Sequence, residues 1–370
     1  MLRFDRRLIH NFDWLLLALV VTVACCCLAN LYSATYTGSQ GFSGVFIRQL
    51  YFFIMGFGVI AVIVSFDYRV LMESNYFIYA IIIGLLLFAI TFGGSHVGTQ
   101  RWIDLGFFRL QPSEPAKLML VITLASYYTR KDTGKGFTLG ELIVPILLAG
   151  LPFLLIVIQP DLGTALMLAF VFVSMTLFVK LQWSTLVTLS GTALTLAALA
   201  WKFFLKPYQR QRIETFLNPE ADSLASGYHI TQSKIAVGSG LKFGKGYLAG
   251  TQGHLDFLPE RHTDFAFSIW AEEFGFVGSM VFLAIYFTMI FWGINIALAS
   301  RDKFGTLLCV GIVSLLFWQA FINLAMVMGL LPVVGMPLPL FSYGGSSLLT
   351  SMAAIGILLS VRMRRYHAPV

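Results

Sequence analysis

A few clusters of polar residues stand out against an otherwise apolar chain, and each has a chemistry that its residue types can perform. Phe257-Leu-Pro-Glu-Arg261-His262-Thr263-Asp264-Phe265 closes a long polar stretch and leaves a carboxylate where the sequence turns apolar. Charge is expensive at a water–lipid boundary, so Asp264 is the first candidate for chemistry, as a general base that can meet water, a lipid headgroup and a sugar together. Glu114 and Lys117, in Gln111-Pro-Ser-Glu-Pro-Ala-Lys117, share a helical face and can pair. Such a pair either carries two charges into a membrane as a structural unit or lines a cavity that substrate enters. Arg210 and Arg212, in Tyr208-Gln-Arg-Gln-Arg212, are two forked cations suited to phosphate, or simply to lipid headgroups. Arg101-Trp102 sets a cation beside an indole, an interfacial anchor or a platform for a sugar. Asp161, in Gln159-Pro-Asp-Leu-Gly-Thr164, reads as a helix cap.

Metal and nucleotide chemistry find less support. His254, Asp256, His262 and Asp264 lack the close pairing of zinc ligands. No firm cofactor follows; the compatible ion is a divalent cation, Mg2+ or Mn2+, bridging a carboxylate such as Asp264 to a substrate pyrophosphate. Gly240-Leu-Lys-Phe-Gly244-Lys245-Gly246 is one residue short of a phosphate loop and no Ser or Thr follows its lysine, so a tight turn whose backbone approaches a headgroup is the better reading. Cys25, Cys26, Cys27 and Cys309 all fall inside apolar stretches, without ligand spacing.

The elements that must position these residues are membrane helices. The 370-residue chain is 58% hydrophobic and 12% charged, with a mean hydropathy of +0.80; soluble domains carry roughly 25% charge. The reading is an all-α polytopic integral membrane protein, one membrane domain over residues 1–370. Apolar stretches predict ten transmembrane helices, at 14–33, 46–65, 75–93, 114–129, 141–158, 164–181, 184–204, 267–299, 305–330 and 346–361. An even number puts both termini on one side. That side would hold Arg3, Arg6, Arg7, Arg69, Arg130, Lys131, Lys135, Lys180, Arg301, Lys303, Arg362, Arg364 and Arg365, against Arg48, Arg101, Arg109 and Lys117 in the opposite short loops. The imbalance predicts cytoplasmic termini and puts Asp264 outside. The basic excess, 25 against 18, reflects topology and anionic lipid rather than nucleic acid.

Between spans 7 and 8 lies a large, structured extracytoplasmic loop, about 206–267. Pro207 can open a helix that Asn218-Pro219 stops, and Tyr228 to Val237 can form a second short helix at the membrane surface. The stretch Pro332 to Ser347 cannot be regular helix. Irregular backbone at membrane depth is tolerated only where protein or a wet cavity covers it, so this stretch marks a cavity wall. Glu272 and Glu273 are expected to pair with a buried cation or hydroxyls and to serve structure.

The motifs around Asp264, Arg210–Arg212, Gln111–Glu114, Gln159–Thr164, Gly240–Gly246 and Pro337-Leu-Pro-Leu-Phe-Ser-Tyr-Gly-Gly-Ser346 together resemble the bacterial SEDS family (shape, elongation, division and sporulation). Arg261 and Pro332-Val-Val-Gly335 fit its elongation branch, since the division branch typically has Ala and Pro-Thr-Lys-Gly there. The resemblance implies a ten-span peptidoglycan glycosyltransferase in the bacterial cytoplasmic membrane. It would polymerise lipid II into glycan strands during elongation, with a class B penicillin-binding protein as crosslinking partner within the elongation machinery. It also places the essential acidic residue on Asp264 and the carboxylate–lysine pair on Glu114 and Lys117. With that pair, Arg101, Trp102, Arg210, Arg212, Arg261 and Thr263 are the candidate substrate contacts. A lipid II flippase and a non-catalytic scaffold for the transpeptidase are the alternatives. The position of Asp264 at the interface favours chemistry, because a carrier concentrates its charges near the midplane.

Overall fold

The computed structural model describes residues 11–36, 42–96, 99–104, 106, 109–131, 134, 136–199, 202–203, 207–218, 226–254 and 261–365. Several expectations fall outside them: Arg3, Arg6, Arg7, Lys135, Pro219, Phe257-Leu-Pro-Glu260 and Asp256, together with the side chains of Tyr208 and His254.

Each apolar stretch of the sequence forms a helix. In chain order these are α1 (Trp14–Ala34), α2 (Gly44–Ser65), the short α3 (Arg69–Glu73), α4 (Asn75–Phe92), α5 (Ser113–Arg130), α6 (Leu139–Ile158), α7 (Leu162–Phe178) and α8 (Trp183–Leu199). After the polar region come α12 (Ala266–Ala299), α13 (Lys303–Val327) and α14 (Gly345–Met363). Among the described residues, α1, α2, α4, α6, α12, α13 and α14 are each long and apolar enough to cross a membrane. α5 carries Glu114 and Lys117 inward, and α7 and α8 are 17 residues each. Helix starts follow local chemistry. Asp13, Asp161 and Asp302 cap α1, α7 and α13 through their carboxylates, and Thr138 with Glu141 forms a capping box on α6.

Among the seven long apolar helices α13 and α14 are the most enclosed, and α5 is buried along nearly its whole length. α13 packs on α5, α7 and α12, while α14 packs along α2. Apolar side chains such as Ile54, Phe77, Leu147, Leu154 and Leu298 point outward from the surrounding helices, as lipid-facing residues do.

Within the polar region, α9 (Pro207–Leu217) and α10 (Ser226–Ser239) form as the sequence predicts, followed by a single turn, α11 (Thr251–His254). α10 packs against α12 and α13, where Ser233 bonds Ser268 (2.8 Å) and the carbonyl of Val327 (2.6 Å). The all-α expectation needs one correction. β1 (Gly94–His96), β2 (Thr99–Asp104) and β3 (Arg109–Leu110) make a small antiparallel sheet in order 1-2-3, pairing Ser95 with Gln100 and Asp104 with Arg109. β1 and β3 are too short for a two-residue periodicity to register, and the six residues of β2, Thr-Gln-Arg-Trp-Ile-Asp, do not alternate apolar with polar.

Two irregularities organise the interior. α12, at 34 residues, would be about 51 Å long as one rod, well over a bilayer core of about 30 Å. It breaks at Gly275 (φ 64°, ψ −165°), a conformation open essentially to glycine alone. The second is the non-helical run between α13 and α14. Its carbonyls are met one by one by side chains of the surrounding helices. Asn323 donates to Met336 O (2.6 Å), Gln319 to Pro337 O (3.2 Å), Tyr286 to Pro339 O (2.9 Å) and Gln49 to Ser342 O (3.3 Å). Ser342 closes a turn on Leu338 N (2.9 Å), and Leu340 adopts φ 63°, which costs on the order of 1–3 kcal/mol in a non-glycine residue.

Tyr286 is fully buried and its hydroxyl serves Pro339 alone. Tyr286→Phe keeps the ring and leaves that carbonyl without its donor, so unfolding in detergent should become easier by about 1–3 kcal/mol. Thermal unfolding of the purified variant checks this; an unchanged melting temperature would mean that water or another group takes the acceptor.

Candidate active site

Asp264 stands two residues before α12, in a short segment stitched to the irregular run. The side-chain amide of Asn323 donates to the carbonyl of Asp264 (2.8 Å) as well as to Met336. Tyr343 N donates to the carbonyl of His262 (2.8 Å), and the two rings meet edge to face with centroids 6.0 Å apart. Gly335, at φ +73°, lets the run pass close by the carboxylate: a Cβ there would lie 3.5 Å from Asp264 Oδ2.

The carboxylate faces a cavity of about 250 Å³. Glu114 and Asp161 add two further carboxylates to its wall, Arg101 and Trp102 another side, and the backbone of Gly335 to Pro337 and of Tyr343 to Ser347 the rest. Beside it lies a larger groove of about 990 Å³. The two spaces share Trp102, Thr263, Tyr343, Gly344 and Gly345. The groove adds the cations Arg48 and Arg109, the latter paired with Asp104 of the same wall (3.7 Å), and the outward-facing apolar side chains Tyr51, Ile54 and Met55 of α2. A carboxylate-lined chamber thus adjoins a space that is cationic on one side and greasy on another.

Neighbouring side chains hold this wall in place. Glu114 and Lys117 are buried and paired at 2.9 Å, and Lys117 also donates to Gln319 Oε1 (3.2 Å). Gln319 in turn holds Pro337 O, so the ion pair is coupled to the irregular run. Asp161 caps α7 through Thr164 N (3.2 Å), as its motif predicts, and accepts from Thr164 Oγ1 (2.9 Å) and Gln111 Nε2 (3.1 Å). Arg101 is committed to the tight turn before α7, donating through Nε to Gln159 O (2.8 Å) and through its terminal nitrogen to Pro160 O. Ser346 Oγ links Gln111 N (3.0 Å) to Arg109 O (3.0 Å), tying the sheet to the start of α14.

Asp264, Glu114, Trp102, Arg101 and Thr263 therefore converge, as their residue types suggest. Arg261 is half-buried and is not among the lining residues. Lys117 lies behind the wall, on Glu114 and Gln319. Arg210 and Arg212 sit on α9 away from the lining, with Arg210 donating to Lys202 O (3.1 Å). Sequence reasoning passed over Gln319 and Asn323. Their signal was present: two amides four residues apart, on one face of an apolar span, are costly in lipid unless protein partners meet them. The turn Gly240–Gly246 packs its backbone against the break in α12, and the buried Glu272 and Glu273 find Lys245 and the Ser33 hydroxyl.

Among the described residues no three His, Cys, Asp or Glu converge on a point that would cage an ion. A divalent cation shared between Asp264 and a substrate phosphate remains compatible with the donor set, because Mg2+ is commonly held by one carboxylate plus phosphate.

Lys117→Ala would leave Glu114 charged and buried, a loss of about 3–5 kcal/mol. A lower melting temperature in detergent is expected for that variant, with partial recovery in the exchange Glu114→Lys, Lys117→Glu. Single variants as stable as the parent would dissolve the pair as a structural unit.

Residues 10–367 match the family model FtsW/RodA/SpoVE, described as "Cell cycle protein". The peptidoglycan glycosyltransferase MrdB of Escherichia coli K12 is 41% identical over 333 residues, covering 87% of this chain and 86% of that protein. The peptidoglycan glycosyltransferase RodA of Treponema pallidum is 31% identical over 433 residues, covering 96% and 99%. A solved structure titled "Structural coordination of polymerization and crosslinking by a peptidoglycan synthase complex" contains a chain of 31% identity that superposes with a TM-score of 0.82, covering 96% of this chain and 99% of that one. The crystal structure of the rod shape determining protein RodA of Thermus thermophilus is 28% identical with a TM-score of 0.71, covering 96% and 98%.

Proposed function

The chain belongs to the FtsW/RodA/SpoVE family of cell cycle proteins and is a peptidoglycan glycosyltransferase, and we propose that it polymerises lipid II with Asp264 as its general base. One observation supports the assignment of the site: the carboxylate chamber and the cationic, lipid-facing groove meet at Thr263, the residue before Asp264, and at Trp102 and Tyr343 to Gly345. Lipid II has a long lipid, a pyrophosphate and a sugar, so its site must be greasy, cationic and wet within a short distance.

In the proposed reaction Asp264 takes the proton of the acceptor sugar hydroxyl as the oxygen attacks the anomeric carbon of the donor. The bond to undecaprenyl pyrophosphate breaks with inversion, and the leaving group departs as an anion. Arg48 and Arg109 in the groove are placed to hold that pyrophosphate, since guanidinium groups meet phosphate oxygens in pairs. Arg210 and Arg212, with Arg261, are assigned a second set of phosphate contacts from the loop side. Trp102 offers the flat apolar face on which a sugar can stack.

The same reading proposes ten crossings, adding α5, α7 and α8 to the seven long apolar helices, with cytoplasmic termini and the polar region 206–267 outside, so that polymer forms on the extracytoplasmic side. It also proposes a class B penicillin-binding protein as partner, supported by the likeness to a synthase complex that coordinates polymerisation with crosslinking.

The test is polymerisation of lipid II by the purified chain, alone and with its partner, with products sized on a gel. Asp264→Asn keeps shape but loses the charge, and polymer synthesis should fall ~10²–10⁴-fold while folding and partner binding persist. Full synthesis by Asp264→Asn would remove the base assignment. A parent that translocates lipid II and makes no polymer would favour a flippase. Replacing both Arg48 and Arg109 by Ala should weaken lipid II binding, and added salt should weaken binding by the parent more than by that variant.

A further inference from the structure

The rod that follows Asp264 is not held by its own helix. At the break in α12 the backbone groups on both sides are taken up by one loop. Phe276 N donates to Leu241 O (2.8 Å) and Val277 N to Lys242 O (3.0 Å) beyond the break. Before it, Glu272 O accepts from Lys245 N (3.0 Å) and Glu273 O from Gly246 N (3.0 Å). Gly244 and Gly275, at φ +80° and +64°, lie backbone against backbone, where a Cβ on either would run into the other segment. The loop is spliced into the helix.

Glu272 then fastens the loop. Its carboxylate is fully buried, and it accepts from Lys245 Nζ (2.5 Å), Thr251 N (2.9 Å), Thr251 Oγ1 (3.0 Å) and Gln252 N (3.2 Å). Every one of these donors comes from residues 245–252. The pair Lys245–Glu272 closes a ring of chain, and Asp264 is inside that ring. Glu272 stands about 12 Å along the chain from Asp264 at 1.5 Å per residue, so a tilt of about 5° at the splice moves Asp264 by about 1 Å.

We propose that Lys245 and Glu272 are positioning residues for Asp264: by locking the Gly240–Gly246 loop into the break of α12, they set the direction of the short rod 266–274 and with it the reach of the base into the cavity. This rests on the reading of Asp264 as the base. Asn323 holds the Asp264 carbonyl from the far side, so the rod is braced at its start by α13 and near its end by the loop. Misplacing a catalytic group by about 1 Å costs on the order of 100-fold. A merely structural ion pair would change stability and leave the turnover of folded protein alone.

Initial rates of lipid II polymerisation by the purified chain with its partner, measured against lipid II concentration, test this. The Lys245 side chain is 28% exposed, so Lys245→Ala leaves no sealed void, and the Glu272 carboxylate keeps its bonds from Thr251 N, Thr251 Oγ1 and Gln252 N, so the variant should fold with reduced stability. Its kcat should fall ~10- to 100-fold with KM within about twofold of the parent, and Lys245→Arg should recover most of the loss. Hydrogen exchange at the backbone amides of 265–274 should quicken in Lys245→Ala and return in Lys245→Arg. Parent-like kcat in Lys245→Ala, or a fall that Lys245→Arg does not repair and that comes with unchanged exchange, would overturn the proposal. Asp264→Asn run alongside separates the two readings. Full activity there removes the base itself, whereas an inactive Asp264→Asn beside a fully active Lys245→Ala removes only the positioning role.

Discussion

Backbone that leaves the helix at membrane depth must find a partner for every polar group, and the run from Pro332 to Gly344 is where this chain meets that demand. Carbonyls of Met336, Pro337, Pro339 and Ser342 are each met by a side chain from a different position on α2, α12 or α13. An unsatisfied carbonyl in that setting costs several kcal/mol, so these bonds are conditions for the run to exist there. The same donors build the site. Asn323 serves Met336 and Asp264 together, and Gln319 joins Pro337 to the Glu114–Lys117 pair. The cavity wall and its satisfaction are one network.

That coupling explains how charge is carried into an apolar bundle. Glu114 and Lys117 neutralise each other on one face of α5, and Asp161 is absorbed by Gln111, Thr164 and the start of α7. Glu272 is saturated by four donors from the spliced loop. Each of these carboxylates is tied into structure, and Asp264, whose carbonyl is held by Asn323, joins Glu114 and Asp161 in lining the cavity. Polar groups with settled partners fix the frame around the cavity.

Much of this was legible beforehand. Hydropathy located the helices, because lipid-facing and interior positions are both apolar and the stretches are long. The prolines and glycines from Pro332 onward marked an irregular wall, and the resemblance pointed at Asp264. What sequence hid depends on three-dimensional return. The break at Gly275 was invisible because Gly occurs freely in apolar spans, and its meaning comes from a loop some thirty residues earlier, through Gly244 and Lys245. Strands β1 and β3 were too short to read, and β2 lacks the apolar–polar alternation that marks a strand. Arg210 and Arg212 stood out by composition, yet Arg48 and Arg109, which read as ordinary loop cations, are the ones at the groove. Spacing ranks residues along a chain; only packing decides which of them share a space.

The central claim is that the groove reaching Thr263, beside Asp264, admits the lipid-linked substrate. A photoreactive residue at Tyr51, on the groove side of α2, tests it directly when the protein is illuminated in membranes containing lipid II and captured substrate is measured, with Phe321, an outward-facing residue of α13 away from the groove, as control. The account predicts covalent capture of lipid II at Tyr51, well above that at Phe321 and suppressed by excess unlabelled lipid II. Equal capture at both positions, or none at Tyr51 while the protein still makes polymer, would contradict it.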